Sequence, residues 1–172
     1  MTGILKCDTI QNTGGTFEHA RLVQVVNSIS YAMASGTTQI PNDDTIPTSS
    51  EGTALGALDT AITPTNAANT LIVMVNFPFL ECSGAANLQV ALYQDSGSAA
   101  IAATTAESAG GTAGLCVQLN YIKEGTIGTS STTFKIRYGA ASSVTNTVNG
   151  YNGARKLGGV APASMTIMEI RA

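Results

Sequence analysis

The stretch LIVMVNFPFL, residues 71–80, decides the fold of this chain. Apart from Asn76 and Pro78 it is continuously apolar, which is typical of a strand covered on both faces. The run is shorter than the roughly 18 apolar residues that a membrane-spanning helix requires. We therefore predict a buried β-strand, one face of which meets the core while the other needs a different cover.

Alternation of apolar and polar residues continues on both sides of this stretch. Phe134, Ile136 and Tyr138 alternate with Lys135 and Arg137, which predicts a strand with one buried and one wet face. Similar period-two segments lie at residues 22–34, 88–92, 115–121 and 165–170, with weaker strands expected at 39–46 and 54–63. About eight strands predict an all-β antiparallel sandwich, most simply an eight-stranded jelly roll, with an immunoglobulin-like sandwich as the alternative.

Composition argues against several functional classes. Only 11% of the 172 residues are charged and the net charge is −3, so we expect neither a nucleic-acid partner nor membrane insertion. His19 is the single histidine, which leaves no Ser-His-Asp triad or multi-histidine metal site within one subunit. No phosphate-binding glycine pattern is present. We expect no cofactor, no metal ion, no catalytic residue and no enzyme activity.

The acidic residues and the cysteines each leave an alternative open. Asp43 and Asp44 indicate turn chemistry, with a carboxylate site for Ca²⁺ or Mg²⁺ as the weaker alternative. Residues such as Glu81 and Asp95 could in principle supply the paired carboxylates of a glycosidase, but the sequence has no tryptophan for a sugar-stacking platform. The chain has three cysteines, Cys7, Cys82 and Cys116, with no C-x-x-C spacing. This pattern indicates free thiols, and the alternative is that one of them forms a disulfide between subunits.

The second face of the 71–80 strand is the candidate subunit interface. A doubly apolar strand in a two-layered sandwich leaves one face exposed unless a partner buries it. The candidate interface residues are Ile72, Met74, Phe77 and Phe79. By analogy of fold we expect a homotrimer.

Two long loops, residues 96–114 and 140–162, are rich in small residues and are candidates for recognition. The second contains an aromatic residue with two cations close by, a composition common at binding surfaces, and a solvated loop is the equal alternative. The candidate recognition residues are Tyr151, Asn152, Arg155 and Lys156.

The first segment, MTGILKCDTIQNTGGT at residues 1–16, carries scattered apolar residues and ends at two glycines. So short a strip cannot bury its own side chains, which indicates an arm that docks elsewhere, with the glycines as a hinge. We divide the chain into an anchoring arm, residues 1–20, and a sandwich domain, residues 21–172. The candidate anchor residues are Ile4, Leu5, Cys7 and Ile10.

Several motifs resemble one known family in order along the chain. The arm residues ILK-DTIQNT-GT resemble the segment before the distal domain of tail-fibre and virion appendage proteins of tailed bacteriophages, especially those of aquatic hosts, cyanophages among them. The run IPNDDTIPTSSEG, residues 40–52, resembles the opening of that distal domain. Later strands of the same domain resemble residues 91–97 (ALYQDSG), 132–139 (TTFKIRYG) and 165–170 (MTIMEI).

This resemblance implies a jelly-roll-type domain in a virion structural protein made in the host bacterial cytoplasm. A short tail fibre, anchored to another virion protein through the arm and contacting a host surface glycan or receptor, is the first expectation. Capsid decoration, as a cement or head-fibre protein, is the alternative.

Overall fold

The computed structural model describes residues 11–12, 15–16, 22–108 and 113–172. Antiparallel strands dominate these ranges, and the helical segments found there are short 3-10 turns at Gly56–Leu58 and Leu157–Gly159. The strands are β1 (Gln11–Asn12), β2 (Gly15–Thr16), β3 (Leu22–Ser30), β4 (Ala34–Gly36), β5 (Thr53–Ala54), β6 (Thr60–Ile62), β7 (Thr70–Cys82), β8 (Ala86–Gln94), β9 (Ala102–Ser108), β10 (Ala113–Lys123), β11 (Thr132–Ala140), β12 (Asn146–Val148), β13 (Gly150–Tyr151), β14 (Ala154–Arg155) and β15 (Ala163–Ile170).

The first sheet is built around β7, the strand predicted from residues 71–80. One edge of β7 pairs with β10 along its length. Its other edge pairs first with β15 and then, from Leu80 onward, with β12. Strand β3 pairs with β15, and β4 pairs with β12. The order across the longer half of this sheet is therefore β3, β15, β7, β10.

The second sheet is built around β11. It pairs with β8 on one edge and with the short strands β5 and β6 on the other, and β9 pairs with the far edge of β8. The predicted all-β antiparallel sandwich is confirmed. Taking β5 and β6 as one, eight principal strands stand in the order first, eighth, third, sixth in one sheet and second, seventh, fourth, fifth in the other.

The core lies between the two sheets. Phe134, Ile136 and Tyr138 of β11 are fully buried, while Lys135 and Arg137 are half-buried on the opposite face, as the alternation predicted. Their partners across the core come chiefly from β7 and β15: Leu71, Val73, Val75, Met165 and Ile167. Each such side chain stabilises the fold by roughly 1.5–3 kcal/mol relative to an exposed one.

A β-bulge at Pro78 changes which residues of β7 face outward. Val117 opposes Phe77 and Leu115 opposes Leu80, so β7 contains one extra residue between them. Proline lacks the N–H that a central strand donates, which is why the irregularity falls here. Phe77 is fully buried in the core. Its assignment to the interface was therefore wrong, because the interface set mixed residues from both faces of the strand.

Three segments differ from the sequence prediction. Residues 37–47 are not a strand but a loop that crosses the second sheet. The predicted loop at 96–114 contains β9, and the one at 140–162 contains β12, β13 and β14. These strands were missed because they are short or rich in alanine, threonine and asparagine, which give little period-two hydrophobic signal.

The N-terminal segment is described only at β1 and β2, which pair as Gln11 with Thr16 and Asn12 with Gly15. The four candidate anchor residues, and His19, lie outside the described residues. In the part of the chain that the structure describes, no helix is long and apolar enough to cross a membrane.

Candidate interaction surfaces

Among the described residues, the outward side of the first sheet carries no charged side chain on the part of β7 before the bulge and on the strands beside it. We call it the uncharged face and define it by the outward residues of β3, β15 and β10 together with those of β7 up to Asn76. The register places Val25, Met168, Ile72 and Ile122 side by side in one apolar row across the four strands. The next row contains Asn27, Thr166, Met74 and Asn120, and the third contains Ile29, Ser164, Asn76 and Gln118.

Much of this face is open to solvent in the single chain. Val25 is 48% exposed, Ile29 is 49% exposed and Ile122 is 57% exposed. Val25 and Ile29 lie on the same side of β3, in agreement with the period-two pattern of residues 22–34, but that side points away from the core. The predicted interface residues Ile72 and Met74 lie on this face and are half-buried.

The polar residues of the uncharged face bond partly with one another. Asn27 Nδ2 donates to Thr166 Oγ1 at 2.7 Å, and Gln118 Nε2 donates to Asn76 Oδ1 at 3.4 Å. Cys116 lies on β10, opposite the bulge in β7, and is an exposed free thiol, whereas Cys82 is buried. The face therefore offers apolar side chains, neutral hydrogen-bonding groups and one thiol.

Beyond the bulge, the outward side of β7 is covered by a small hairpin formed by β13 and β14. Its turn residues, Asn152 and Gly153, have φ values of 50° and 69°. Two left-handed residues in succession are what a type I′ turn requires, and Asn-Gly is the sequence that adopts it most readily. The backbone N–H of Asn152 donates to the buried carboxylate of Glu81 at 3.0 Å.

This hairpin, together with Lys156 directly after it, brings the four predicted recognition residues together, and we call residues 150–156 the recognition hairpin. The Tyr151 ring packs edge-on against Phe79, with ring centroids 6.3 Å apart, and Lys156 Nζ lies 5.2 Å from the centroid of the Tyr151 ring. Such a cation–π contact contributes about 0.5–1 kcal/mol at an exposed site. Arg155 and Asn152 are exposed on the same hairpin. Phe79 thus supports the hairpin and is not available to the uncharged face.

The segment after the hairpin exposes two apolar side chains that the sequence analysis did not single out. Leu157 is 67% exposed and Val160 is 80% exposed. Leu157, Gly158 and Gly159 all have positive φ, and this conformation is strained for leucine. The signal in the sequence was an apolar residue directly before Gly158-Gly159.

Residues 37–52, which we call the docked loop, lie across the outward side of the second sheet. Ile40 is fully buried against Ala91 and Tyr93. The Arg137 guanidinium donates to the carbonyl oxygens of Glu51 and Gly52 at 2.5 and 2.7 Å. Gly52 has a φ of 68°, and a Cβ there would lie 2.8 Å from the Ile40 side chain. The docked loop contains the IPNDDTIPTSSEG motif.

Within the docked loop, Asp43 serves a turn. Its Oδ1 accepts hydrogen bonds from the backbone N–H and the hydroxyl of Thr45 at 2.9 and 2.6 Å, and these two bonds lower the pKa of Asp43. This is the turn chemistry that the sequence favoured over a metal site. Among the described residues, no group of three or more potential ligands gathers as a metal site would require.

Beside the docked loop lies a polar cleft of about 260 Å³ lined by residues that include Tyr93, Asp95, Lys135 and Arg137. Three of the lining residues, Tyr93, Asp95 and Arg137, already form hydrogen bonds that stabilise the fold. Asp95 accepts hydrogen bonds from the Thr132 hydroxyl and the Thr133 N–H at 2.8 and 2.7 Å. Tyr93 donates to the Thr48 carbonyl at 2.8 Å. Glu81, the other carboxylate weighed for glycoside cleavage, binds the recognition hairpin instead.

Among the described residues, the most deeply buried carboxylate is that of Glu169 on β15, and it accepts hydrogen bonds from neutral donors. Oε1 accepts from Asn69 Nδ2 at 2.5 Å and from the Thr65 N–H and hydroxyl at 2.8 and 2.9 Å. Oε2 accepts from Gln24 Nε2 at 2.6 Å. Burial alone would raise the pKa of Glu169, but the four hydrogen bonds lower it to about 2. This group ties β3 and the 63–69 segment to β15.

No family model and no curated protein matches this sequence. Among solved structures, the chain is similar to a chain of the "Structure of infectious bursal disease virus Gx strain", with a TM-score of 0.37 and 12% identity. The match covers 100% of this chain and 42% of the viral chain, so this chain spans less than half the length of that one.

Proposed function

We propose that this chain is a non-enzymatic structural subunit of a bacteriophage particle, with a jelly-roll fold and an N-terminal arm that anchors it to another virion protein. A short tail fibre is the first candidate. The observation that carries the proposal is the docked loop. This loop contains the motif that resembles the opening of phage distal domains, and residues of the motif have structural roles in it. Ile40 fills a buried site, Asp43 closes a turn and Gly52 adopts a left-handed conformation.

The strand order supports the jelly-roll part of the proposal. The first principal strand lies beside the last, the last beside the third, and the third beside the sixth. Two facing sheets with four principal strands each, in which successive strands change sheet except for the paired fourth and fifth, are the arrangement that a double Greek key produces. We propose a homotrimer for the assembled subunit.

Capsid decoration is the second candidate function. It is favoured by the small fraction of charged residues in the chain, which is 11%. The two candidates differ in where copies sit on the particle. Antibody labelling of purified virions, read by electron microscopy, is expected to mark the tail. A lattice of label over the head would replace the tail fibre with capsid decoration, and unlabelled virions would contradict both.

For the tail fibre, we propose that the recognition hairpin contacts an anionic or glycan group on the host surface. Lys156→Glu is expected to lower the adsorption of phage to host cells at least severalfold, because it reverses a charge held on the hairpin by the Tyr151 ring. The matched control is Lys123→Glu, a charge reversal on β10 opposite Leu71, at the far end of β7 from the hairpin. Equal adsorption by both variants would contradict the assignment.

A further inference from the structure

We propose that the uncharged face is covered by the same face of other copies of this chain. The inference gives the homo-oligomer of the proposed function a specific contact surface, and it rests on that function for its setting in a virion. The surface consists of the outward residues of β3, β15 and β10 together with those of β7 up to Asn76, centred on the apolar row of Val25, Met168, Ile72 and Ile122.

The exposure of this face calls for a partner. Single exposed apolar residues are ordinary, but here they line up across neighbouring strands in one register. Val25 and Ile122 stand at the two ends of the apolar row and are 48% and 57% exposed. Between them, Met168 and Ile72 are half-buried by their neighbours alone. A contiguous stripe of this kind marks an interaction site on a water-soluble surface.

The chemistry of the face identifies the partner as a second copy. None of its described outward residues carries a charge. A surface selected for a different protein usually gains specificity and association rate from complementary charges, and this face offers none. A face with charges of one sign would repel its own copy, whereas an uncharged face meets its own copy without that repulsion.

The hydrogen-bonding groups of the face are also self-complementary. The rows beside the apolar row contain amide side chains, Asn27, Asn120, Asn76 and Gln118. Each amide both donates and accepts, so an amide on one copy can pair with the same amide on another. Apolar residues at the centre with neutral polar residues beside them match the composition of interface cores, which are depleted in charge.

The outward face of the second sheet, in contrast, is covered by a segment of the chain itself. There the docked loop lies across β8 and β11, with Ile40 fully buried beneath it. The remaining outward residues include Lys135 and Arg137, which keep their charges in water. Within the described ranges, no comparable segment crosses the uncharged face. The difference between the two sheets is explained if another copy provides the cover.

The test uses the full-length chain and complementary charges at the two ends of the apolar row. The first variant is Val25→Glu with Ile122→Glu, and the second is Val25→Lys with Ile122→Lys. Wild-type mass, measured by light scattering, is expected at a multiple of 17.5 kDa, three chains in the trimer. Each variant alone is expected to be monomeric, because like charges then face each other. An equimolar mixture is expected to associate again into species heavier than the monomer, because opposite charges then meet wherever the two variants touch.

The control is Ile46→Glu with Thr105→Glu, two exposed positions outside the face. It is expected to keep the wild-type mass, and circular dichroism of every variant is expected to match the wild type. A wild-type chain that is monomeric at micromolar concentration would overturn the proposal, as would variants that keep its mass. Monomeric variants that do not associate on mixing would assign the face to a different partner and would also overturn it. Labelling of virions is independent of these results, so the two proposals fail separately.

Discussion

Glu169 shows how neutral donors among the described residues can stabilise a single buried charge. Four hydrogen bonds from Gln24, Thr65 and Asn69 hold its carboxylate, and they connect segments far apart in the chain. Hydrogen bonds to a charged acceptor are worth roughly 1.5–3 kcal/mol each, more than neutral ones. The residue was not singled out from the sequence, because one glutamate in an apolar strand gives no indication of its partners.

The pKa of Glu169 makes stability depend on pH in a defined window. The pKa of Glu169 is lowered from its ordinary value of 4.5 to about 2 in the folded chain. A lowered folded pKa contributes stability above the unfolded pKa, and this contribution is lost as pH falls. We expect a contribution of about 3 kcal/mol at neutral pH that disappears between about pH 4.5 and pH 2. Urea unfolding measured across this range checks the expectation.

Glu169→Gln is expected to lower the free energy of unfolding at pH 7 by about 1–3 kcal/mol and to flatten its decline in acid. The amide keeps one acceptor but turns an N–H group toward donors. Glu107→Gln, an exposed substitution on β9, is the control. If both variants follow the same pH profile as the wild type, the assignment of the acid-sensitive step to Glu169 is wrong.

Tyr138 offers a prediction in the opposite direction. Its hydroxyl is buried in the core and has no hydrogen-bond partner among the described residues, and burial raises the pKa of the phenol to about 12. Burying a hydroxyl without a partner costs roughly 1–3 kcal/mol. Tyr138→Phe is therefore expected to leave stability unchanged or to raise it by about 1 kcal/mol in thermal unfolding. A clear loss of stability would show that the hydroxyl has a partner.

At the scale of elements, alternation predicted strands well where apolar residues were large. β11 is confirmed residue by residue, because Phe134, Ile136 and Tyr138 alternate with charged neighbours. β7 was predicted as a strand, yet the bulge at Pro78 shifts the alternation by one residue and moves Phe79 outward. A proline in a strand signals irregularity, but the sequence does not say on which side the extra residue is taken up.

The docked loop is the element whose role was least predictable. Its isoleucines suggested a strand. In the structure the Ile40 side chain is fully buried, whereas Ile46 is 66% exposed. Ile40→Ala is expected to cost about 2–5 kcal/mol of unfolding free energy, since it opens a cavity under the loop. Ile46→Ala in the same loop is expected to stay within about 0.5 kcal/mol of wild type. Similar losses for both would mean that the loop is not held by Ile40.

At the scale of the whole molecule, the sandwich was predictable and its orientation was not. Period-two patterns show that a strand has two different faces, but not which face meets the core. In β3 the apolar residues Val23, Val25 and Ile29 point to solvent, while Ser30 is buried. The candidate surfaces were therefore only partly predictable: Ile72 and Met74 were found, and their neighbours on β3, β15 and β10 were not.

Because β3 pairs with β15, the first long strand of the sandwich must wait for the last one to be synthesised. Leu22 emerges from the ribosome roughly 150 residues before its partner Ile170. At about 5–20 residues per second, β3 waits on the order of ten seconds or more for its neighbour. During that time a long apolar strand has no partner in its final sheet. The nascent chain is thus most prone to aggregation late in translation, and chains that terminate before β15 are expected to require chaperones or be degraded.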